Sequence, residues 1–139
     1  MFTSVNSRTA AAYKRASVEA SVEMADPHQL VTLLFEALQR HIAAAKLALQ
    51  AKDVPQKCKQ IGAALRILEE GLKAPLDLER GGEIAANLNA LYDYCVNRLV
   101  MANARNDEAG LDEVAALIEP VANGWKQIQG KTPAYLRPV

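Results

Sequence analysis

The stretch from Ile84 to Ala104 constrains the fold of this chain more than any other feature. It runs for 21 residues with two charged side chains, Asp93 and Arg98, and it contains neither proline nor glycine. This composition predicts a helix whose apolar arc is wider than the roughly 100° that a helix in a small bundle needs to bury. The surplus must be covered by the rest of the chain or by a partner, and that choice decides the function.

At 100° per residue, the apolar side chains of this helix divide into a core stripe and two flanks. The predicted core stripe consists of Ile84, Leu88, Leu91, Cys95, Leu99 and Ala102. One flank carries Tyr94 and Met101, together with the polar residues Asn87 and Arg98. The other flank carries Tyr92, Val96 and Val100. We expect the Tyr94 flank, with Leu91 at its border, to contact a partner.

Composition favours one helical domain and argues against several classes of partner. The chain has 139 residues, half of them hydrophobic, with only 5% aromatic residues and abundant alanine. Alanine and leucine are strong helix formers, and this length is sufficient for an independent core. Sixteen basic and sixteen acidic residues cancel. A neutral chain lacks the positive field that attracts nucleic acids and anionic membranes, so neither is an expected partner.

The cysteines and the hydropathy pattern predict a cytoplasmic protein. Cys58 and Cys95 both lie within apolar helical patterns, which favours buried thiols in a reducing compartment. The opening residues contain no apolar signal-peptide core. No apolar run reaches the ~20 residues that a membrane span requires, so we expect no membrane insertion.

The positions of capping residues, prolines and glycines, which begin and end helices, predict four helices. Helix 1 begins at the cap Asp26 and ends near residues 52–53, and helix 2 runs from about residue 54 until Pro75 stops it. Helix 3 runs from residue 83 to about residue 106. Asp107 caps helix 4, which Gly130 ends and in which Pro120 predicts a kink or a break.

Long helices with short connections indicate an all-α fold, an antiparallel up-down four-helix bundle. We expect the bundle to span residues 26–130, a mobile arm to occupy residues 1–25, and residues 131–139 to form an extended tail. Cys58, Ile61, Leu65, Leu68 and Leu72 are spaced by three and four residues, which is typical of packing between nearly parallel helices.

The sequence supports neither a metal site nor a catalytic site. There is no His-Glu-x-x-His motif, no Cys-x-x-Cys motif and no Glu-x-x-His pair of the di-iron type, and no cofactor is expected. An alternative is a histidine phosphotransfer bundle that uses His41. Such bundles carry His-x-x-Lys-Gly, whereas Ile-Ala-Ala follows His41. A half-buried histidine at the edge of the helix 1 stripe is the better interpretation.

Several motifs together resemble the flagellar secretion chaperone FliS family. The strongest are GGEIAANL at 81–88 and LYDY at 91–94, followed by Arg98-Leu99. In the family's order there also stand AYKR at 12–15, LLFE at 33–36, Asn106-Asp107 and Trp125. The similarity covers about residues 11–128.

The resemblance implies a helical bundle that binds the disordered C-terminal segment of flagellin in the cytoplasm. Such a chaperone prevents premature polymerisation and delivers flagellin to the gate of the flagellar type III export apparatus. A segment that folds on binding needs grooves lined by apolar side chains, which the flanks of helix 3 supply. The resemblance also implies that the arm containing Tyr13 lies over part of the groove when flagellin is absent.

The predicted partner-binding residues are therefore Tyr13, Asn87, Leu91, Tyr94, Arg98 and Met101. A further alternative assigns the surplus face of helix 3 to the seam of a weak homodimer.

Overall fold

The computed structural model describes residues 26–128 and 133–137. Within them four α-helices follow one another: α1 Pro27–Gln50, α2 Val54–Arg66, α3 Gly82–Arg105 and α4 Glu108–Lys126. α2 continues directly into a π-helical segment, Ile67–Lys73. The predicted all-α class is confirmed. The predicted arm, with Tyr13, lies outside the described residues.

Aspartate side chains cap the N-termini of three of the helices by accepting hydrogen bonds from backbone N–H groups of the first turn. The Asp26 carboxylate accepts a hydrogen bond from the backbone N–H of Gln29 at 2.7 Å. Asp53 and Asp107 cap α2 and α4 in the same manner. A side-chain oxygen at this position satisfies one of the backbone donors that the first turn leaves free. The predicted caps Asp26 and Asp107 are therefore confirmed.

Contacts between α1 and α4 show that these helices run in opposite directions. His28, near the start of α1, contacts Trp125, near the end of α4. At the other end, the side-chain amide of Gln50 donates to Glu108 at 3.2 Å. The pairing of start with end fixes the antiparallel arrangement.

α2 and α3 are paired in the same way. The Lys57 ammonium, in the first turns of α2, donates to the carbonyl of Asn103 at 2.9 Å, near the end of α3. Lys73, at the end of the π-helical segment, forms an ion pair with Asp93 at 2.5 Å. α2 also runs back along α1, because Asp53 contacts Ala48 and Gln60 contacts His41, so the described helices alternate in direction along the chain, as the bundle interpretation predicts.

The core lies between the four helices and is mainly aliphatic. Its largest fully buried side chains are Leu30, Leu34, Leu38, Ile61, Ile67, Leu68, Leu99, Leu111, Val114 and Ile118. The sequence predicts inward stripes on helix 1 (Leu30, Leu34, Leu38, Ile42, Ala45 and Leu49) and helix 4 (Leu111, Val114, Ile118, Val121, Trp125 and Ile128), and each stripe contributes three residues to this set. Their regular spacing places one face of each helix inside, where burial of a large aliphatic side chain contributes about 1.5–3 kcal/mol.

The predicted core stripe of α3 is wrong at its N-terminal half. Ile84, placed in the core by its spacing, is 57% exposed, whereas Tyr92, placed on a flank, is 3% exposed. The residues of α3 that are buried are Ala85, Tyr92, Cys95, Leu99 and Ala102. The helix is rotated slightly from the predicted setting. Its apolar residues surround so much of the axis that spacing alone does not fix the inward face.

Three further expectations are corrected. Cys58 is exposed rather than buried, because the adjacent Lys57 takes the inward position at the start of α2. Of the kink or break predicted at Pro120, the break does not occur, because α4 continues through this residue to Lys126. Pro120 and Ala116, whose carbonyl loses its usual N–H donor, are both exposed, so the missing hydrogen bond falls on the outer side of the helix. The helix also ends before Gly130.

The two thiols should differ sharply in reactivity. Burial, with a smaller contribution from Glu113, raises the pKa of the Cys95 thiol to about 11, whereas Cys58 is exposed. Because the thiolate is the reactive form, an aromatic disulfide reagent at pH 8 should modify one thiol per native chain rapidly, and two after denaturation. Cys58→Ser should abolish the rapid phase. Rapid modification of two thiols in the native chain would contradict the burial of Cys95.

Two glycines of α4 provide a matched test of helix packing. A Cβ atom at Gly110 would lie 2.8 Å from Nη1 of Arg98 and 2.9 Å from Cβ of Ala102, while a Cβ at Gly124 meets nothing within 4 Å. Gly110→Ala should lower the free energy of unfolding by about 1–2 kcal/mol through overpacking. Gly124→Ala should leave it unchanged or raise it by up to ~1 kcal/mol through helix propensity. Urea titrations followed by circular dichroism measure both, and equal effects would contradict close packing at Gly110.

Candidate functional site

Five of the predicted partner-binding residues lie along one side of α3, spaced by four, three, four and three residues. We call this set the α3 stripe: Asn87, Leu91, Tyr94, Arg98 and Met101. Tyr94 is 47% exposed and Met101 is 38% exposed. Asn87 is exposed, while Leu91 and Arg98 are half-buried. The sixth predicted residue, Tyr13, lies outside the described residues.

Polar contacts tie the middle of the α3 stripe to α4. The Tyr94 hydroxyl donates to one carboxylate oxygen of Glu113 at 2.5 Å, and Nε of Arg98 donates to the other at 2.6 Å. Nη2 of Arg98 also donates to Asp107 at 3.1 Å. Arg98 is therefore held by acidic partners within the bundle, and its guanidinium positions Glu113, which in turn orients the ring of Tyr94.

These contacts shift the titration of the residues involved. The hydrogen bond from Tyr94, followed by the one from Arg98, lowers the pKa of Glu113. The same hydrogen bond raises the pKa of Tyr94. At neutral pH Glu113 is therefore a carboxylate and Tyr94 a neutral phenol, so the exposed ring presents an uncharged, largely apolar face.

An apolar cavity lies beside the beginning of α3, at the end of the bundle where α1 starts and α4 finishes. Its volume is about 330 Å³. Five parts of the chain line it: α1, the π-helical segment and the residues after it, α3, α4 and residues 135–136. Representative lining residues are Phe35, Leu72, Ile84, Leu88, Val121 and Leu136. Its volume lies in the range of pockets that hold small ligands or apolar side chains.

A reciprocal contact between His28 and Trp125 fixes one wall of the cavity. The rings are stacked with centroids 4.9 Å apart. Nε2 of His28 lies 2.8 Å from the Trp125 carbonyl, so this nitrogen carries the proton, and Nε1 of Trp125 donates to the His28 carbonyl at 3.0 Å. Trp125 is thus part of the bundle itself, with its indole satisfied.

His41 does not have the environment of a phosphoryl acceptor. Its Nδ1 lies 2.6 Å from Oε1 of Gln60, and its Nε2 is buried without a hydrogen-bond partner. A phosphotransfer histidine must present a ring nitrogen to the phosphodonor, and neither nitrogen of His41 is presented. The geometry therefore disfavours the phosphotransfer alternative.

Within residues 26–128 and 133–137, no group of three or more His, Cys, Asp or Glu side chains has the arrangement of a metal site. None of the helices in this part of the chain combines the length and the apolarity that a bilayer crossing demands.

The sequence missed three features of this region. Ile84 forms part of the cavity rim instead of the core. Glu113, the hydrogen-bond partner of Tyr94, lies on α4, and the residue spacing within α3 could not indicate it. Tyr135 and Leu136 line the cavity from beyond α4, and the pair of large apolar residues in a polar tail was the signal that could have indicated this.

Comparison with known proteins identifies relatives of this chain. Residues 9–132 match the family model described as Flagellar protein FliS. The chain is 46% identical over 120 residues to the flagellar secretion chaperone FliS of Salmonella typhimurium, covering 86% of this chain and 89% of that protein. It is 45% identical over 116 residues to the flagellar secretion chaperone FliSB of Pseudomonas aeruginosa, covering 84% and 91% respectively. The FliS protein of Vibrio cholerae is 38% identical over 117 residues, covering 84% and 85%.

The helical fold and these relatives define a flagellar secretion chaperone, which is a non-enzymatic class. The chain belongs to the FliS family. The resemblance inferred from the sequence motifs is therefore confirmed.

The link between Tyr94 and Glu113 can be measured directly. Because the phenol contributes most to the lowered pKa of Glu113, Tyr94→Phe should raise that pKa towards its ordinary value. The contribution of this network to stability is present above the ordinary glutamate pKa and is lost as the pH falls through the lowered one. Carbon-detected NMR titration of the Glu113 carboxylate gives the pKa in both proteins. An unchanged value in Tyr94→Phe would show that the hydroxyl does not bind Glu113 in solution.

Proposed function

We propose that this chaperone binds the disordered C-terminal segment of flagellin in the cytoplasm, keeps it from polymerising early and delivers it to the gate of the flagellar type III export apparatus. The observation that carries the proposal is the α3 stripe, where Tyr94 and Met101 are exposed on the helix that also buries Tyr92, Cys95 and Leu99 in the core. Membership of the FliS family supports a secretion client, and the stripe supplies an apolar surface suited to a segment that folds on binding.

The α3 stripe combines apolar contact with polar selectivity. Tyr94 offers an aromatic face that its contact with Glu113 holds in place. Asn87 is exposed at the N-terminal end of the stripe, where its amide can both donate to and accept from the backbone of a bound segment. A bound helix with apolar residues at the same three-and-four spacing would lie along this stripe.

Binding of a disordered client requires more buried apolar surface than Tyr94 and Met101 alone provide. Burying the exposed parts of Tyr94 and Met101, with matching area on the client, removes on the order of 400 Å² from water, or ~10 kcal/mol. Association costs ~4–15 kcal/mol, and ordering a disordered segment costs a further ~2–5 kcal/mol. The stripe alone gives little net affinity, so the proposed client contact extends to neighbouring apolar surface.

Isothermal titration of the full chain with a synthetic peptide of the flagellin C-terminal segment tests the proposal. Tyr94→Glu should weaken binding by about 10-fold or more, because it replaces an apolar contact with a charge that must be desolvated. The control is Val100→Glu, since Val100 is 48% exposed on the opposite flank of the same helix. It should bind with unchanged affinity, and both variants should keep the helical circular dichroism signal.

Each part of the proposal has an outcome that contradicts it. No heat of binding and no shift of amide resonances at tens of micromolar peptide would overturn flagellin binding. Equal weakening by Tyr94→Glu and Val100→Glu would show that the α3 stripe is not the contact. A tight dimer in light scattering that flagellin does not change would assign the exposed face of α3 to a homodimer seam instead.

A further inference from the structure

The segment Pro133–Arg137 is attached to the connection between the π-helical segment and α3 as a short antiparallel pair. Leu76 and Leu136 form a β-bridge. The backbone N–H of Asp77 donates to the carbonyl of Tyr135 at 2.8 Å, and the N–H of Arg137 donates to the carbonyl of Pro75 at 3.2 Å. Pro75–Asp77 therefore binds this segment through backbone hydrogen bonds, which any extended peptide can form.

Gly81 allows this segment to approach closely. A Cβ atom on Gly81 would lie 2.6 Å from the Cα of Tyr135, a distance that real Cβ atoms do not adopt. The same hypothetical Cβ would lie 2.6 Å from the carbonyl oxygen of Asp77. It would also lie 2.4 Å from Cβ of Ala85, so the absence of a side chain at position 81 serves both the turn itself and the close approach of the Tyr135 backbone.

The receiving edge is held in place by its own contacts. The Asp77 carboxylate accepts hydrogen bonds from the backbone N–H groups of Glu79 and Arg80, at 3.2 and 3.0 Å. The Asp77 carbonyl accepts from Gly81 at 2.8 Å. Leu76 is anchored in the core at 3% exposure. The hydrogen bonds of Asp77 to residues 79–81 do not involve Pro133–Arg137, so this turn has contacts of its own.

The side chains of the attached segment face the apolar cavity without filling it. Tyr135 and Leu136 are half-buried and line it, yet about 330 Å³ remains beside them. The bridge consists of two backbone hydrogen bonds, which are a small gain against the entropy of ordering five residues. An extended segment with larger apolar side chains would use the same edge and fill more of the cavity.

We propose that the Pro75–Asp77 edge and the adjoining cavity are a docking site for an extended apolar segment of the client, and that Pro133–Arg137 occupies this site in the free chaperone. The client segment binds by exchange: it pairs with the edge in place of Tyr135 and Arg137 and inserts apolar side chains in place of Leu136. This inference rests on the proposed flagellin binding and adds a second contact to the α3 stripe.

Leu136→Asp tests the exchange, because a carboxylate is not tolerated in an apolar cavity. The matched control is Ala134→Asp, which adds the same charge at an exposed position of the same segment. Hydrogen exchange of the Asp77 amide, measured by NMR, should be about 10-fold faster in Leu136→Asp and unchanged in Ala134→Asp. Flagellin C-terminal peptide should bind Leu136→Asp about 3- to 10-fold more tightly, since the internal competitor is removed. Saturating peptide should then restore slow exchange at Asp77.

Arg137→Pro provides a second variant that changes one backbone donor without adding negative charge. It removes the N–H that binds the Pro75 carbonyl, and Arg137→Ala serves as its control. Arg137→Pro should also bind the peptide more tightly than Arg137→Ala. Faster exchange at Asp77 with unchanged or weaker peptide affinity would overturn the exchange while leaving the proposed function intact. Absence of peptide binding by the wild-type chain and by every variant would overturn the proposed function and the exchange together.

Discussion

The setting of α3 about its own axis is the constraint on which the rest of the structure depends. Lys57 is 4% exposed, and its ammonium donates to the Asn103 carbonyl and to the Asn106 side chain at the end of α3. A buried ammonium that lost these acceptors would carry a large desolvation cost. Together with the contacts of Arg98 to α4, it opposes rotation of α3. This setting places Tyr92 and Cys95 inside and leaves Tyr94 on the surface.

The sequence was sufficient to predict those parts of the fold that local interactions determine. The starts of α1 and α4 followed from Asp26 and Asp107, whose side chains act within the first turn. The inward faces of α1 and α4 followed from clear periodicity. The exposure of Ile84 did not, because α3 is apolar around most of its circumference and contacts distant in sequence choose its buried side.

In the candidate site, too, the features set within one helix could be predicted and those set by contacts distant in sequence could not. The α3 stripe could be predicted, since its members share one helix and their spacing places them on one face. The cavity beside it could not, because five separate parts of the chain form its walls. The tether of Tyr94 to Glu113 joins residues of different helices, and periodicity within α3 carries no information about α4. The family followed from the order of several motifs, whereas the client is a proposal that rests on surface chemistry.

The π-helical segment Ile67–Lys73 has a consequence for how this chain would tolerate a change in length. Each π turn spans one residue more than an α turn, since its hydrogen bonds reach five residues along the chain instead of four. The segment therefore accommodates one residue more than an α-helix would over the same turn, without interrupting the helix. Deletion of one residue here can be absorbed by a return to α-helical geometry, so that Pro75 and the edge that follows keep their place. The same deletion within α1 would turn every later side chain of that helix by about 100°.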